Sequence, residues 1–167
     1  MTRIILVGFM AAGKSTVGAI LAERLGWDFI DFDEEIERRT GYTIPEIFRL
    51  EGEPAFRALE AELTHEVTRL ERVVLAPGGG WITQPGLLDH FGDETLVVWL
   101  RITPDEAVRR ALRAPTHRPL LAGGAPLERA RLLMHEREPL YRLADVVVDV
   151  DGKSAGEVAD EIAGLLE

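Results

Sequence analysis

The stretch that decides the fold lies near the amino terminus and reads Gly8-Phe9-Met10-Ala11-Ala12-Gly13-Lys14-Ser15-Thr16. It matches the pattern Gly-x-x-x-x-Gly-Lys-Ser/Thr, whose glycines let backbone N–H groups turn inward and approach a phosphate closely. The apolar run 4–7 before it is typical of a buried strand, and residues 17–25 after it have apolar side chains at helical spacing. Because strand, glycine loop and helix follow one another in the order that a phosphate cradle requires, the sequence predicts a phosphate-binding loop rather than a turn with a chance lysine.

The residue types in this loop suit a bound nucleoside triphosphate. Lys14 can reach the β and γ phosphates, Ser15 can ligate Mg²⁺, and the amino terminus of the following helix adds partial positive charge. We expect Lys14 to be catalytic and six loop residues to contact ATP, namely Ala11, Ala12, Gly13, Lys14, Ser15 and Thr16.

Bulk properties exclude several classes of protein. The chain has 167 residues, which suggests one domain over 1–167 with a sizeable core, and its formal net charge of −10 argues against a general nucleic-acid binder. It has no cysteine, which excludes disulfides, thiolate metal sites and thiol nucleophiles. No apolar stretch approaches the roughly 20 residues of a membrane span, and the layout of a signal peptide is missing. We expect a monomeric cytoplasmic protein without nucleic-acid or membrane partners.

Five apolar, strand-like runs alternate with helical stretches, at residues 3–7, 28–32, 73–76, 95–100 and 145–150. Three helix starts carry the capping-box pattern, a Ser or Thr followed three residues later by Glu, at Thr43, Thr103 and Ser154. Apolar residues at helical spacing predict another helix over 56–70. This alternation predicts an α/β fold with a parallel sheet, and ligands at the carboxyl ends of its strands.

One segment, 114–126, interrupts this alternation because it is rich in Pro, Gly and Ala. In a kinase, a loop of this length can serve as a closing lid, which we place at about 113–126. Arg118 is its only full charge. The alternative is a plain surface connection.

Two carboxylates, Asp31 and Asp33, stand at the carboxyl end of the second predicted strand. Because residues i and i+2 of a strand point to the same side, we expect both to face one crevice beside the phosphate loop. Such a pair can divide its work, one holding Mg²⁺ through water and the other orienting or deprotonating an acceptor hydroxyl. The alternative for Asp33 is an ordinary cap of a helix that starts at Glu34.

Three further features stay ambiguous from spacing alone. Arg57 precedes Glu60 by one helical turn, which suits a ligand contact or a surface ion pair. Gly78-Gly79-Gly80 follow the third strand directly, as expected where backbone approaches a ligand, although a flexible turn would also fit. Arg137 falls on the apolar face of its helix, where it needs an anionic ligand or an internal carboxylate as partner.

Taken in order, these motifs resemble those of the shikimate kinase family over nearly the whole chain. After the phosphate loop come Asp31-Phe32-Asp33, Ile47-Phe48, Gly52-Glu53, Phe56-Arg57-Ala58-Leu59-Glu60, Gly78-Gly79-Gly80, Arg118-Pro119-Leu120-Leu121 and Arg137-Glu138-Pro139-Leu140-Tyr141. The phosphate loop alone would fit many families, but the ordered set is highly specific.

The resemblance implies transfer of the γ-phosphate of ATP to the 3-hydroxyl of shikimate, in aromatic amino acid biosynthesis, with Mg²⁺ as cofactor. It also implies a three-layer P-loop kinase fold, with a five-stranded parallel sheet of order 2-3-1-4-5, helices on both faces and a mobile lid.

The resemblance further assigns roles to individual residues. Shikimate would be held in an acceptor-binding region at about 33–62 and by more distant residues, the full set being Asp33, Arg57, Gly78, Gly79, Gly80 and Arg137. The two arginines would pair with its carboxylate, while Asp33 would be catalytic at the attacking hydroxyl. Ser15 and Asp31 would serve Mg²⁺. Arg118 would swing with the lid onto the phosphates as a catalytic group, and Arg110 and Lys153 would lie near the ATP adenine.

Two departures from the family pattern stand beside the triple glycine. Ala76-Pro77 replaces a hydroxyl residue that can help to order metal-bound water, and Trp81 stands where a small residue is usual and can crowd or reshape the acceptor pocket. Two alternatives are a kinase acting on gluconate or another polyol acid, and a catalytically weak nucleotide-binding regulator. The Arg57 and Arg137 pair argues against the first. The second is disfavoured by the intact set Lys14, Asp31, Asp33 and Arg118.

Overall fold

The computed structural model describes residues 1–113 and 125–167. Its five strands form one parallel sheet of order β2-β3-β1-β4-β5, which confirms the predicted fold and strand order. The strands are β1 Arg3–Val7, β2 Asp28–Asp31, β3 Val73–Ala76, β4 Thr95–Arg101 and β5 Val146–Asp149. The helices in those ranges are α1 Lys14–Leu25, α2 Phe32–Thr40, α3 Ile44–Glu51, α4 Glu53–Val67, α5 Pro104–Arg113, α6 Pro126–Tyr141 and α7 Ala155–Gly164.

Helices cover both faces of the sheet, so its central strands are almost wholly apolar. Alternate residues of β1 point to opposite faces, Ile4 and Leu6 into one core cluster and Ile5 and Val7 into the other. The first cluster is closed by α1, α5 and α7, and the second by α2, α3 and α4. This arrangement brings the carboxyl ends of β1, β2 and β3 side by side at one edge of the molecule.

The start of α2 corrects the predicted second strand. β2 ends at Asp31, one residue earlier than predicted, and the helix begins at Phe32, two residues before Glu34. The Asp31 carboxylate accepts a hydrogen bond from the Glu34 N–H at 3.1 Å and so caps the helix. Asp33 therefore belongs to the first turn of α2 and is not its cap. The prediction that strand alternation points both carboxylates to the same side is therefore wrong. Asp31 and Asp33 nevertheless line one cavity.

Two of the three predicted capping boxes form. Thr43 and Ser154 each exchange hydrogen bonds with the Glu three residues later. At Thr103 only half of the motif forms, because the Thr103 N–H donates to Asp151 at 3.1 Å, while the Glu106 carboxylate binds Arg109 and Arg110. The predicted helix 56–70 begins and ends three residues earlier, at Glu53 and Val67.

Most of the predicted lid, including Arg118, lies outside the described residues. Within 1–113 and 125–167, every helix is too short or too polar to cross a membrane.

Candidate active site

The phosphate loop joins β1 to α1 in a backbone shape that few sequences allow. A Cβ on Gly8 would lie 2.6 Å from the Leu100 carbonyl oxygen, so this position accepts only glycine. Gly13 has φ 94° and caps α1, with its carbonyl accepting the Val17 N–H at 2.8 Å. Ala11 is held at φ 64°, a conformation that opposes its Cβ. The loop is thus shaped in advance, and its strain is of the kind that functional loops carry.

Lys14 lies over the mouth of this loop. Its Nζ donates to the carbonyl oxygens of Gly8 at 2.7 Å and Phe9 at 3.0 Å. The ammonium group is therefore held above the amino terminus of α1, where the full positive charge of the lysine and the partial positive charge of the helix end both favour an anion.

A cavity of about 410 Å³ opens directly in front of the loop, between the carboxyl ends of β1, β2 and β3. It combines residues predicted for phosphate, metal and acceptor, although the predicted acceptor residues Arg57, Gly80 and Arg137 do not line it. Its lining consists of Met10, Ala11, Gly13, Lys14, Ser15, Thr16, Asp31, Asp33, Ala76, Pro77, Gly78, Gly79, Arg110 and Ala155. Ala12 is buried beneath the loop and does not line the cavity.

Ser15 and Asp31 meet at the floor of this cavity. The Ser15 hydroxyl donates a short hydrogen bond to Asp31 Oδ2, while Asp31 Oδ1 accepts the Glu34 N–H. A hydroxyl and a carboxylate oxygen thus face the same point beside the phosphate loop. Oxygen donors of this kind, few in number and next to a phosphate site, suit Mg²⁺, which keeps most of its ligands as water and phosphate.

Asp33 is half-buried on the acceptor side of the cavity, and its Oδ1 is shielded from solvent. Burial, reinforced by the negative charge of Asp31 and opposed by Lys14, raises the pKa of Asp33 to about 6. Its Oδ1 has no hydrogen-bond partner in the part of the chain that the structure describes. A desolvated carboxylate with an open acceptor oxygen is suited to receive a hydroxyl group and its proton.

Glu60 is fully buried next to Asp33, a placement that the sequence did not reveal because its spacing from Arg57 is equally typical of a surface ion pair. Burial raises the pKa of Glu60 to about 7, against the opposing effect of Arg57, whose Nη1 lies 2.5 Å from Glu60 Oε1. Glu60 Oε2 and Asp33 Oδ1 each lie 3.2 Å from the point where a Cβ of Gly78 would stand. A side chain at the first glycine of the triple would therefore press against two carboxylates, which favours the interpretation as close packing at the site over that as a flexible turn.

The other two glycines lie against the two predicted substrate arginines. A Cβ on Gly80 would collide with the Arg57 guanidinium, and a Cβ on Gly79 would stand 3.7 Å from Arg137 Nη1. Arg137 donates to the Gly79 carbonyl at 3.4 Å, and its guanidinium carbon lies 5.9 Å from the centre of the Phe9 ring. The glycine segment thus brings together two arginines that are 80 residues apart in sequence.

Among the described residues, Arg137 forms no ion pair with a carboxylate, although the sequence left that alternative open. Arg57 does have carboxylate partners, Glu60 and more distantly Glu53 at 3.3 Å. Both readings of Arg57 are therefore compatible with its contacts, since a guanidinium has donors for an internal carboxylate and for a ligand.

The two residues predicted near adenine differ in placement. Arg110 lines the cavity and donates to the carbonyls of Ala11 at 3.2 Å and Val150 at 3.3 Å, so it joins the phosphate loop to the end of β5. Lys153 does not line the cavity, and its ammonium group pairs with Glu161 at 2.9 Å. The position of Arg110 is consistent with its predicted role beside the ATP adenine. The side chain of Lys153 instead binds α7, because Glu161 lies on that helix.

Trp81 does not crowd the cavity. Its side chain is 1% exposed and packs in the core beneath the glycine segment. A second cavity of about 410 Å³, beside β4 and α6, is lined mainly by apolar groups such as Phe9, Trp99, Met134 and Tyr141. It contains none of the predicted ligand-binding residues. Among the described residues, the two buried carboxylate oxygens without partners belong to Asp33, which lines the first cavity, and to Glu60, which lies behind Gly78 in its wall.

Comparison with known proteins agrees with this arrangement. A family model described as shikimate kinase matches residues 10–167. A shikimate kinase of Halorhodospira halophila is 48% identical over 167 residues, covering 99% of this chain and 94% of the relative. A shikimate kinase structure from Acinetobacter baumannii, in complex with shikimate, has a TM-score of 0.92 at 41% identity, covering 99% of this chain and 93% of that one.

A gluconokinase structure from Sinorhizobium meliloti has a TM-score of 0.59 at 18% identity, and that likeness extends to the fold alone. The family match, by contrast, includes the elements that carry the phosphate loop, the buried carboxylates and the two arginines. On both sequence and structure, the chain belongs to the shikimate kinase family.

Proposed function

We propose that this chain is a shikimate kinase, which transfers the γ-phosphate of ATP to the 3-hydroxyl of shikimate and yields shikimate 3-phosphate and ADP. The observation that carries the proposal is the half-buried Asp33 carboxylate, whose shielded Oδ1 lies between the phosphate loop and a glycine segment flanked by two arginines. An anionic polyol with one carboxylate and adjacent hydroxyls matches this set of partners.

On the nucleotide side, Lys14 would bind the β and γ phosphates while the loop N–H groups enclose them. The geometry supports this role because the ammonium group already lies over the loop, held by two backbone carbonyls that a phosphate can replace. Arg110, next to Ala11 and Val150, would border the adenine.

Ser15 and Asp31 would hold Mg²⁺, Ser15 directly and Asp31 through water. When bound, the ion would supply positive charge to the β and γ phosphate oxygens. Their existing hydrogen bond supports the assignment because it fixes both oxygens at one side of the phosphate loop.

On the acceptor side, Arg57 and Arg137 would bind the shikimate carboxylate across Gly79 and Gly80, since a planar guanidinium matches a carboxylate with two parallel hydrogen bonds. Asp33 would then receive the proton of the attacking hydroxyl. Phosphoryl transfer depends mainly on positioning and charge stabilisation, so the fixed geometry of these groups matters more than the basicity of Asp33. Arg118 stays a prediction from sequence as the group that stabilises the transferred phosphate.

The proposal is tested by an assay that couples ADP release to a dye, with shikimate, quinate and gluconate supplied side by side. We expect turnover with shikimate to exceed that with the other two acids by roughly a hundredfold or more, the scale set by unpaired polar groups in a site built for other partners. Lys14→Met, checked for folding by circular dichroism, is the control and should show no turnover. Preference for gluconate, or full activity of the folded Lys14→Met variant, would refute the proposal.

A further inference from the structure

Trp81 is the residue by which this chain departs from the family pattern directly after the triple glycine, and the structure gives it a specific place. Its ring is 1% exposed, and it opens a short 3₁₀ turn, Trp81–Thr83, that follows the glycines without a break. The Trp81 N–H donates to the Gly78 carbonyl at 3.0 Å, so the turn and the glycine segment form one unit.

The indole contacts two of the other elements that build the acceptor side, α2 and α4. Its ring meets that of Phe32 edge to face, with centroids 6.4 Å apart, and Phe32 lies between the two site aspartates in sequence. Its Nε1–H donates to the hydroxyl of Thr64 at 2.9 Å, and that hydroxyl in turn donates to the carbonyl of Glu60 at 2.7 Å. A single buried side chain thus connects α2, α4 and the glycine segment.

The same turn makes a second connection to α4. Gln84, which closes the turn through a 3.1 Å backbone hydrogen bond to the Trp81 carbonyl, donates from Nε2 to Glu60 Oε1 at 2.8 Å. That oxygen also accepts from Arg57 at 2.5 Å. The turn therefore reaches Glu60 twice, at its backbone carbonyl through Thr64 and at its carboxylate through Gln84.

We propose that Trp81 and Gln84 are positioning residues for the acceptor, which hold the glycine segment and α4 at a fixed separation so that Arg57 faces Gly80 in the orientation that binds a carboxylate. The inference rests on the proposed role of Arg57. Neither residue lines the cavity in front of the phosphate loop. Because a guanidinium binds a carboxylate well only in one relative orientation, a small shift of α4 against the glycines weakens binding without removing any ligand.

Thr64→Val tests the first connection, since it keeps the shape of the side chain and removes the hydroxyl between Trp81 and Glu60. We expect the KM for shikimate to rise roughly tenfold, in the range seen when groups that orient a ligand-binding residue are lost. The KM for ATP should stay within about twofold, because the phosphate loop lies on other elements. Thr64→Ser restores the hydroxyl and should bring the KM for shikimate back.

Thr95→Val is the matched control. Thr95 is another buried threonine, whose hydroxyl accepts from Arg3 at 3.0 Å, but it begins β4 and so lies at the amino ends of the strands, whereas the site lies at their carboxyl ends. The control should lower the melting temperature without changing either KM. A merely structural role of Thr64 predicts the same behaviour for both valine variants.

Gln84→Met tests the second connection without touching the core, because Gln84 is half-buried and loses only its amide donor. It too should raise the KM for shikimate with the KM for ATP unchanged. If Thr64→Val folds poorly, the two KM values of Gln84→Met alone test the positioning role.

Arg57→Ala, measured in the same assay, distinguishes a failure of the proposed role of Arg57 from a failure of the positioning role of Trp81 and Gln84. If Arg57→Ala leaves the KM for shikimate unchanged, the proposed role of Arg57 is wrong. If Arg57→Ala raises that KM while Thr64→Val and Gln84→Met behave like Thr95→Val, the positioning role of Trp81 and Gln84 is overturned and the proposed function stands.

Discussion

At the scale of single residues, the site consists of ionisable groups held in surroundings that oppose their charge. Asp33 and Glu60 both have a raised pKa, with burial as the main cause, and each keeps one oxygen that lacks a partner among the described residues. Burial of a polar atom without a hydrogen bond is unfavourable, so such atoms are stable only beside compensating groups or a ligand. Their concentration around Gly78 marks the acceptor side of the cavity.

The pKa of Glu60 leads to a prediction about stability. The unfolded carboxyl titrates near 4.5 and the native one near 7, so between these values the native state binds more protons and the free energy of unfolding falls as pH rises. Glu60→Gln removes this loss. From pH 5 to pH 8 the variant should therefore gain about 1–3 kcal/mol relative to wild type. Urea unfolding at both pH values measures the difference, and a gain in the opposite direction would contradict the assigned burial.

Arg137 allows a second prediction at this scale. Arg137→Lys keeps the charge but loses the planar pair of donors, so shikimate binding should weaken by about 1–3 kcal/mol while ATP binding stays the same. Arg142→Lys is the control, since Arg142 pairs with Glu138 on the exposed side of the same segment. Calorimetric titration with each ligand makes the measurement, and equal damage to both ligands would indicate a structural role for Arg137.

At the scale of elements, the junction of β2 and α2 places two similar carboxylates in different surroundings. Asp31 ends the strand, caps the helix and accepts from Ser15, which directs it to the metal side. Asp33, two residues on, lies in the first helical turn and faces Gly78. The division of work between them therefore follows from where the strand ends.

Paired variants test this division. Asp33→Asn keeps the shape and loses the proton-accepting group, so kcat should fall by roughly two or more orders of magnitude, with the affinity for Mg·ATP nearly unchanged. Asp31→Asn still caps α2, since asparagine is as good a cap as aspartate, and should instead raise the Mg²⁺ concentration needed for half-maximal rate. Steady-state titration of both variants with Mg²⁺ and with shikimate separates the roles, and the reverse pattern would show that they are exchanged.

At the scale of the whole molecule, strand-like runs and motif order were sufficient for the sheet. The phosphate loop is a local motif, and such motifs can be predicted because their glycines and lysine recur at a fixed spacing in one short stretch of sequence. Glu60 could not be assigned in this way, because an i, i+3 ion pair looks the same in sequence whether it is exposed or buried. The place of Trp81 was missed for a related reason, since its partner Thr64 is remote in sequence and lies on a different element.

The end of β2 was mispredicted because Phe32 is apolar and continues the strand pattern. Asp31 and Asp33 are both suitable caps for the following helix, and the sequence does not show that Asp31 is the one used. The single-domain assignment over 1–167 and the lid remain predictions from sequence.

The central claim is that the cavity in front of the phosphate loop joins the ATP γ-phosphate to a shikimate hydroxyl. The most direct measurement is phosphorus NMR of the products formed from ATP, Mg²⁺ and shikimate. We expect a phosphate ester resonance that is coupled to the ring proton at carbon 3 and appears together with ADP. The Lys14→Met variant should give no such resonance. Formation of inorganic phosphate alone, or of an ester at another hydroxyl, would contradict it.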